Sequence, residues 1–340
     1  MNQMLADLTQ LRVLQESDLT WLTSIAQPTL YPPGTLLVAQ GKQSESMYLC
    51  LKGALSVQLS QSGGSPQDLL PILAGELTGE MFLLDNDPAS VSIAVVEPTE
   101  LLEIPIPKLV EHLKRDRAFA ARFYQFLAIN LSERLRKLSK AMAIRNIKEG
   151  EPLRKVLLVF ATLNDTDVAW MVAHGVSEKS AKGHILIQQD QPVPAVYLLL
   201  DGTLGIYLNI ANNGSTQEKE LATRVKGDIL GEMSFIDGGM ASATVKALEH
   251  TWVLAIPQNQ LAAKLAQDSG FAGRFYQAIA EIMFNRCQDL LLRANTNHQT
   301  GMADFLSKDI EIEDEIDFDV LDGTAIAGTR FDWMIQQLRR

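Results

Sequence analysis

Gly79-Glu80-Met81-Phe82-Leu83-Leu84-Asp85-Asn86-Asp87-Pro88-Ala89-Ser90-Val91-Ser92-Ile93-Ala94 and Gly231-Glu232-Met233-Ser234-Phe235-Ile236-Asp237-Gly238-Gly239-Met240-Ala241-Ser242-Ala243-Thr244-Val245-Lys246-Ala247 are two versions of one stretch, 152 residues apart. Downstream the correspondence continues at the same offset. Ile104-Pro105 returns as Ile256-Pro257, and Phe119-Ala120-Ala121-Arg122-Phe123-Tyr124-Gln125 returns as Phe271-Ala272-Gly273-Arg274-Phe275-Tyr276-Gln277. Upstream, Gly34, Tyr48 and Gly53 return as Gly183, Tyr197 and Gly202 at an offset of 149, and a three-residue insertion between Gly202 and Gly231 reconciles the two offsets. A period near 150 is far longer than the ~20–50 residues of a stacked repeat, so it marks a duplicated domain.

Each copy reads alike. A short helix is expected at Ser17-Asp18-Leu19-Thr20-Trp21-Leu22 and at Thr166-Asp167-Val168-Ala169-Trp170-Met171, with Ser17 and Thr166 as N-caps. Short β-rich runs punctuated by glycine follow: Met47–Leu51, Leu55–Val57 and Val91–Ile93, then Val196–Leu200, Leu204–Ile206 and Ala243–Val245. Ser62-Gly63-Gly64-Ser65 and Asn212-Asn213-Gly214-Ser215 have the composition of hairpin turns. Each copy closes on a long helix. One face carries Phe119, Phe123, Leu127, Leu131, Leu135 and Leu138, and its counterpart carries Phe271, Phe275, Ile279, Met283, Cys287 and Leu290. Steps of four and three residues are the period of an α-helix. The fold class is therefore α+β: two tandem antiparallel β-rolls, each flanked by helices and ending in a long one. The boundaries read as 1–140, a linker at 141–158, a second roll at 159–296 and an acidic tail at 297–340.

Composition narrows the classes. The chain has 340 residues, 46% hydrophobic and 21% charged, which excludes wholesale disorder and fits two domains of roughly 150 residues. No apolar run reaches the ~18 residues of a membrane span, and the first residues lack the basic and apolar regions of a secretory leader. Cys50 and Cys287 are two isolated thiols, which suits a reducing cytoplasm. The net charge of −11 is repelled by nucleic acid, and no helix-turn-helix follows the second roll, so direct DNA reading is not expected.

The order of elements and the Gly-Glu-Met segments resemble the cyclic nucleotide-binding domain superfamily, over roughly 280 residues. The resemblance implies a phosphate cassette in each copy. Its physical logic is general: the start of a short helix offers free N–H groups and a positive dipole end, glycine allows close approach, and a carboxylate accepts from a ribose hydroxyl. The candidate ligand-binding residues are Gly79, Glu80, Met81, Ser90 and Ser92 in the first copy, and Gly231, Glu232, Met233, Ser242 and Thr244 in the second. Where the family pattern has a phosphate-neutralising arginine, this chain has Ala89 and Ala241. Residues 75–102 also hold six acids and no Lys or Arg, while 227–250 hold four acids and the single base Lys246. A bare cyclic monophosphate is a poor electrostatic match for such surroundings.

Nothing points to catalysis, to a metal or to a resident cofactor. His112, His174, His184, His250 and His298 do not fall at ligand spacing, and no P-loop or nucleophile elbow occurs. The expected function is a non-catalytic regulatory protein that senses a nucleotide-type or related ligand and relays it through its C-terminal helices to a protein partner. The alternative is a scaffold whose cassettes no longer bind nucleotide. The tail holds ten acids against four bases over 298–340. An acidic tether at 309–322 is followed, after Gly323 and Gly328, by Phe331, Met334, Ile335 and Leu338 at helical spacing over 331–340. This reads as a short docking helix, with an external partner slightly preferred over the chain's own body as acceptor.

Overall fold

The computed structural model describes residues 9–59, 66–85, 88–144, 158–212, 215–296 and 318–339. The two expected hairpin tips lie largely outside these residues, as do most of the linker and residues 309–317 of the tether. The chain divides into two compact units, Met1–Lys137 and Leu138–Arg340.

In unit A a 3₁₀ turn (Thr9–Val13) leads into α1 (Glu16–Ile25). Its strands are β1 (Pro28–Tyr31), β2 (Leu36–Val38), β3 (Ser46–Lys52), β4 (Ala54–Leu59), β5 (Gln67–Leu73) and β6 (Leu77–Thr78). After the short α2 (Met81–Leu84) come β7 (Ser92–Val95), β8 (Thr99–Pro105), α3 (Ile106–Arg115) and α4 (Arg117–Ile144), whose last residues, from Leu138 on, fall in unit B. Two antiparallel sheets form, ordered β1-β8-β3-β6 and β2-β7-β4-β5.

After the end of α4, unit B carries α5 (Leu158–Thr162) and α6 (Asp165–His174). It continues through β9 (Val176–Ser180), β10 (Ile185–Ile187), β11 (Ala195–Asp201), β12 (Leu204–Asn212), β13 (Ser215–Arg224) and β14 (Ile229–Leu230). Then follow α7 (Glu232–Asp237), β15 (Thr244–Ala247), β16 (Thr251–Pro257), α8 (Gln258–Gln267), α9 (Ser269–Thr296) and the added α10 (Phe318–Leu338). Its sheets, β9-β16-β11-β14 and β10-β15-β12-β13, repeat the unit A order strand for strand.

The duplication extends to packing. All twelve residues of the two expected helix faces are buried, Phe119, Phe123 and Phe271 completely. Asp116 and Asp268 cap the long helices by accepting from the Phe119 and Phe271 N–H groups, each at 2.9 Å. The leading helices start at Glu16 and Asp165, two residues earlier than Ser17 and Thr166 as caps would allow. Asn164 is the cap of α6: its side chain accepts from Asp167 N while the Asp167 carboxylate accepts from Asn164 N, both at 2.9 Å.

Those same aspartates reach the long helices. Arg122 grips Asp18 through Nε and Nη2 at 2.6 and 2.8 Å, and Arg274 grips Asp167 with the same two distances. Each bidentate pair lies within its own unit and joins a half-buried arginine to a buried aspartate.

Cys50 is fully buried in β3, and burial, then Glu76 and Glu97, pushes its thiol up to about 12. Burial does the same for Tyr276, also to about 12. Both groups are neutral in the fold and their pKa values are raised, so their contribution is complete below the unfolded values of about 8.5 and 10 and is lost as pH rises toward 12. Denaturant titrations at pH 8, 10 and 11.5 are expected to show stability falling across that window. Cys50 is expected to resist alkylation at pH 8 while the chain is folded; rapid alkylation there would refute this burial.

Candidate functional site

The cassette of each unit starts at a glycine that the backbone requires. Gly79 has φ +82° and Gly231 has φ +77°. A Cβ at Gly79 would meet Ser46 O at 2.8 Å, and one at Gly231 would meet Ala195 O at 2.7 Å. Both the left-handed turn and the approach to the neighbouring strand explain these glycines without a ligand.

The turn delivers Glu80 to the start of α2 and Glu232 to the first position of α7. Both residues are buried, at 5% and 2% exposure. A carboxylate in that setting needs a cation, and the long helix supplies it. In unit B, Arg286 of α9 donates from Nη1 to Glu232 Oε1 at 2.6 Å and from Nη2 to Ile229 O at 2.9 Å. In unit A, Arg134 of α4 makes the same two contacts, to Glu80 Oε1 and Leu77 O. The second oxygen, Glu80 Oε2, is buried and meets no donor among the described residues. Sequence reading missed Arg134 and Arg286. Their signal was present, since they too stand 152 residues apart, one position from the apolar face.

The other candidate residues are distributed as follows. Met81 is buried and Met233 half-buried. Ser92 Oγ accepts from Gln40 N at 3.0 Å, and Thr244 Oγ1 accepts from Gln189 N and Gln188 Nε2, each at 3.2 Å. Both hydroxyls thereby tie the strand after the cassette to the end of β2 or β10. Ser90 and Ser242 are half-buried, and Ser242 Oγ lies 4.0 Å from Met233 Sδ. Ala89 and Ala241 are buried, and Ala241 belongs to the apolar core of unit B with Tyr197, Leu230 and Val245. Their backbones close short ladders with Lys42 and Gln191. Lys246 points away from that core, 4.9 Å above the Tyr207 ring and 3.4 Å from Glu218, so it does not serve the cassette.

The tail departs from expectation. Its helix spans Phe318–Leu338, beginning well before Phe331 and running through Gly323 and Gly328. Phe331, Met334 and Ile335 are buried and Leu338 half-buried, against α5 and α6 of the chain's own unit B. Phe331 meets Phe160 edge-on at 5.2 Å. Arg330 binds Asp165 at 2.6 Å and the Phe160 and Leu163 carbonyls at 2.9 and 2.6 Å. The face expected to favour an external partner is thus covered in cis.

Among the described residues no helix is long and apolar enough to cross a membrane, and no group of three His, Cys, Asp or Glu is placed to hold a metal.

Solved structures similar to this chain include a cAMP-bound PfPKA-R, at 14% identity over 78% of this chain and 82% of that one with a TM-score of 0.33. Another is the guanosine-bound regulatory subunit of a cAMP-independent protein kinase A from Trypanosoma cruzi, at 15% identity over 78% and 82% with a TM-score of 0.30. The cyclic AMP receptor protein of Thermus thermophilus is 38% identical over 81 residues, which span 24% of this chain and only 38% of that protein. A family model described as the cyclic nucleotide-binding domain matches residues 28–116 and again 177–268, one segment on each roll and together more than half of the sequence. With both rolls matched, the chain belongs to the cyclic nucleotide-binding domain family and carries two copies of that domain.

Proposed function

We propose that this chain is a non-catalytic regulatory protein. Each cassette senses a nucleotide-type or related small ligand, and the long helix behind it passes the response to a protein partner in the cytoplasm. The observation that carries this reading is the buried ion pair from cassette to long helix, Glu80–Arg134 and Glu232–Arg286, built twice. A ligand that engages the glutamate must share it with the arginine or displace it, and either event changes what holds α4 or α9. The buried Glu80 Oε2 adds an acceptor that a ligand hydroxyl would complete. The domain bounds 1–140 and 159–296 belong to the same proposal.

Ala89 and Ala241 define the ligand's limits. On the family pattern each replaces a guanidinium, and one missing charge-assisted hydrogen bond costs about 1.5–3 kcal/mol. Cyclic AMP and cyclic GMP are therefore expected to bind more weakly than micromolar, and submicromolar titration calorimetry on the unmodified chain would contradict this. Ala241→Arg is expected to tighten binding by about 1.5–3 kcal/mol. Because Ala241 is only 4% exposed, the new side chain has to leave through the cassette mouth; no gain would count against this assignment of the pocket.

The burial of Ala89 and Ala241 favours a second reading, a scaffold whose cassettes have closed. A thermal-shift screen with cyclic mononucleotides and dinucleotides separates the two. A ligand at one hundred times its dissociation constant stabilises by about 2.7 kcal/mol, whereas a closed cassette responds to none.

A further inference from the structure

Beyond the C-terminal end of α10, the sheet β9-β16-β11-β14 opens into a cleft of about 590 Å³. Ser177, Lys179, Asp201, His250, Trp252 and Arg339 line it. Trp252 pairs with Lys179 on β9 and with Asp201 on β11, so the three side chains leave the sheet on one face. The indole N–H donates to Ser177 Oγ at 2.6 Å, which fixes the ring. Lys179 Nζ lies 5.5 Å from the ring centre, and the Arg339 guanidinium, from a separate element, lies 5.9 Å from it.

Two features separate this cleft from ordinary surface. First, Lys179 and Arg339 come from distant parts of the chain to stand over the same Trp252 ring, and among the described residues neither closes on a carboxylate. In a chain of net charge −11, two cations converge on one ring and face open space. An adjoining depression, lined by Glu178 of β9, adds Lys182 and His184 from the loop after that strand. Second, the frame is duplicated but the chemistry is not. In unit A the same register pairs Glu100 with Leu30 and Lys52, and Pro98 stands where unit B has His250. The roll therefore folds without this cluster, and folding alone does not account for it.

We propose that the cleft binds a small hydroxylated phosphate ester, separate from the cassette. The phosphate lies between Lys179 and Arg339, whose fork suits an oxyanion, with His250 beside it. Asp201 accepts from a hydroxyl of the same molecule. The volume is within the ~300–1,000 Å³ of small-molecule sites. Because Arg339 arrives only when α10 is docked, ligand and docked tail stabilise each other reciprocally.

The test follows the Trp252 indole resonance of the full chain, assigned with Trp252→Phe, during titration with ribose 5-phosphate and with ribose. A saturable shift with the phosphate ester alone is expected, weakened about tenfold or more in Lys179→Met and in Arg339→Met. Both variants should stay folded with melting temperatures close to the parent's, since each gives up only one exposed cation–π contact. Saturating ester should also slow hydrogen exchange in α10. The proposal is overturned by no saturable shift at 20 mM, by an equal response to ribose, or by unchanged affinity in both variants.

Discussion

Arg286→Ala is expected to destabilise unit B by about 3–5 kcal/mol, the cost of leaving a buried carboxylate without its cation. Glu232 exposes 3% of its side chain, and Arg286 is the group that reaches it, 54 residues along the chain. The same guanidinium satisfies Ile229 O, so two contacts fail together. Neutralising the carboxylate in the same molecule separates the terms. Glu232→Gln with Arg286→Met removes both charges, and a buried pair exchanged for uncharged groups is often close to neutral. Urea unfolding should therefore rank Arg286→Ala well below the double variant. Arg286→Lys should recover only part of the loss, since one ammonium cannot match a fork aimed at a carboxylate and a carbonyl. Equal midpoints for parent and Arg286→Ala would remove the physical basis for a linkage between cassette and helix.

The second large effect belongs to Phe331→Ala. Phe331 is 1% exposed, set edge-on against Phe160 with Lys226 Nζ 5.0 Å above its ring. Truncating so buried a ring costs about 3–5 kcal/mol. That loss falls on one helix rather than on the rolls, whose cores are built from other residues. Undocked, α10 has no apolar partner, and Gly323 and Gly328 each weaken a helix by about 1 kcal/mol relative to alanine. The expected result is release of residues 325–338: amide exchange in that segment rises by two to three orders of magnitude while β11 and β16 stay protected. Unchanged protection across α10 would mean that Phe331 does not hold it.

The rolls were legible because both of their signals are local. Strand alternation, glycine punctuation and the four-residue steps of the closing helices are written within short windows, and the duplication let each copy check the other. The Glu80–Arg134 and Glu232–Arg286 pairs join residues on elements far apart in sequence, so no window contains both partners. Reading the long helices for their apolar faces also directed attention away from the arginine beside each face. The tail misled for another reason. Gly323 and Gly328 looked like breaks because propensity was all the sequence offered, whereas the docked face of Ala327, Phe331, Met334 and Ile335 outweighs it. The preference for an external acceptor failed likewise, since the complementary surface around Phe160 is visible only once α5 and α6 are in place.

The paired clasps Asp18–Arg122 and Asp167–Arg274 tie the leading helix of each copy to its closing helix. The family-matched segments 28–116 and 177–268 contain neither partner of either clasp. A fragment trimmed to such a segment discards the first helix, which seats the aspartate, and the closing helix, which carries both the clasp arginine and the arginine beneath the cassette. The duplicated stretch accordingly runs from leading helix to closing helix, and a fragment holding only residues 177–268 is expected to unfold at a lower urea concentration than one holding 159–296.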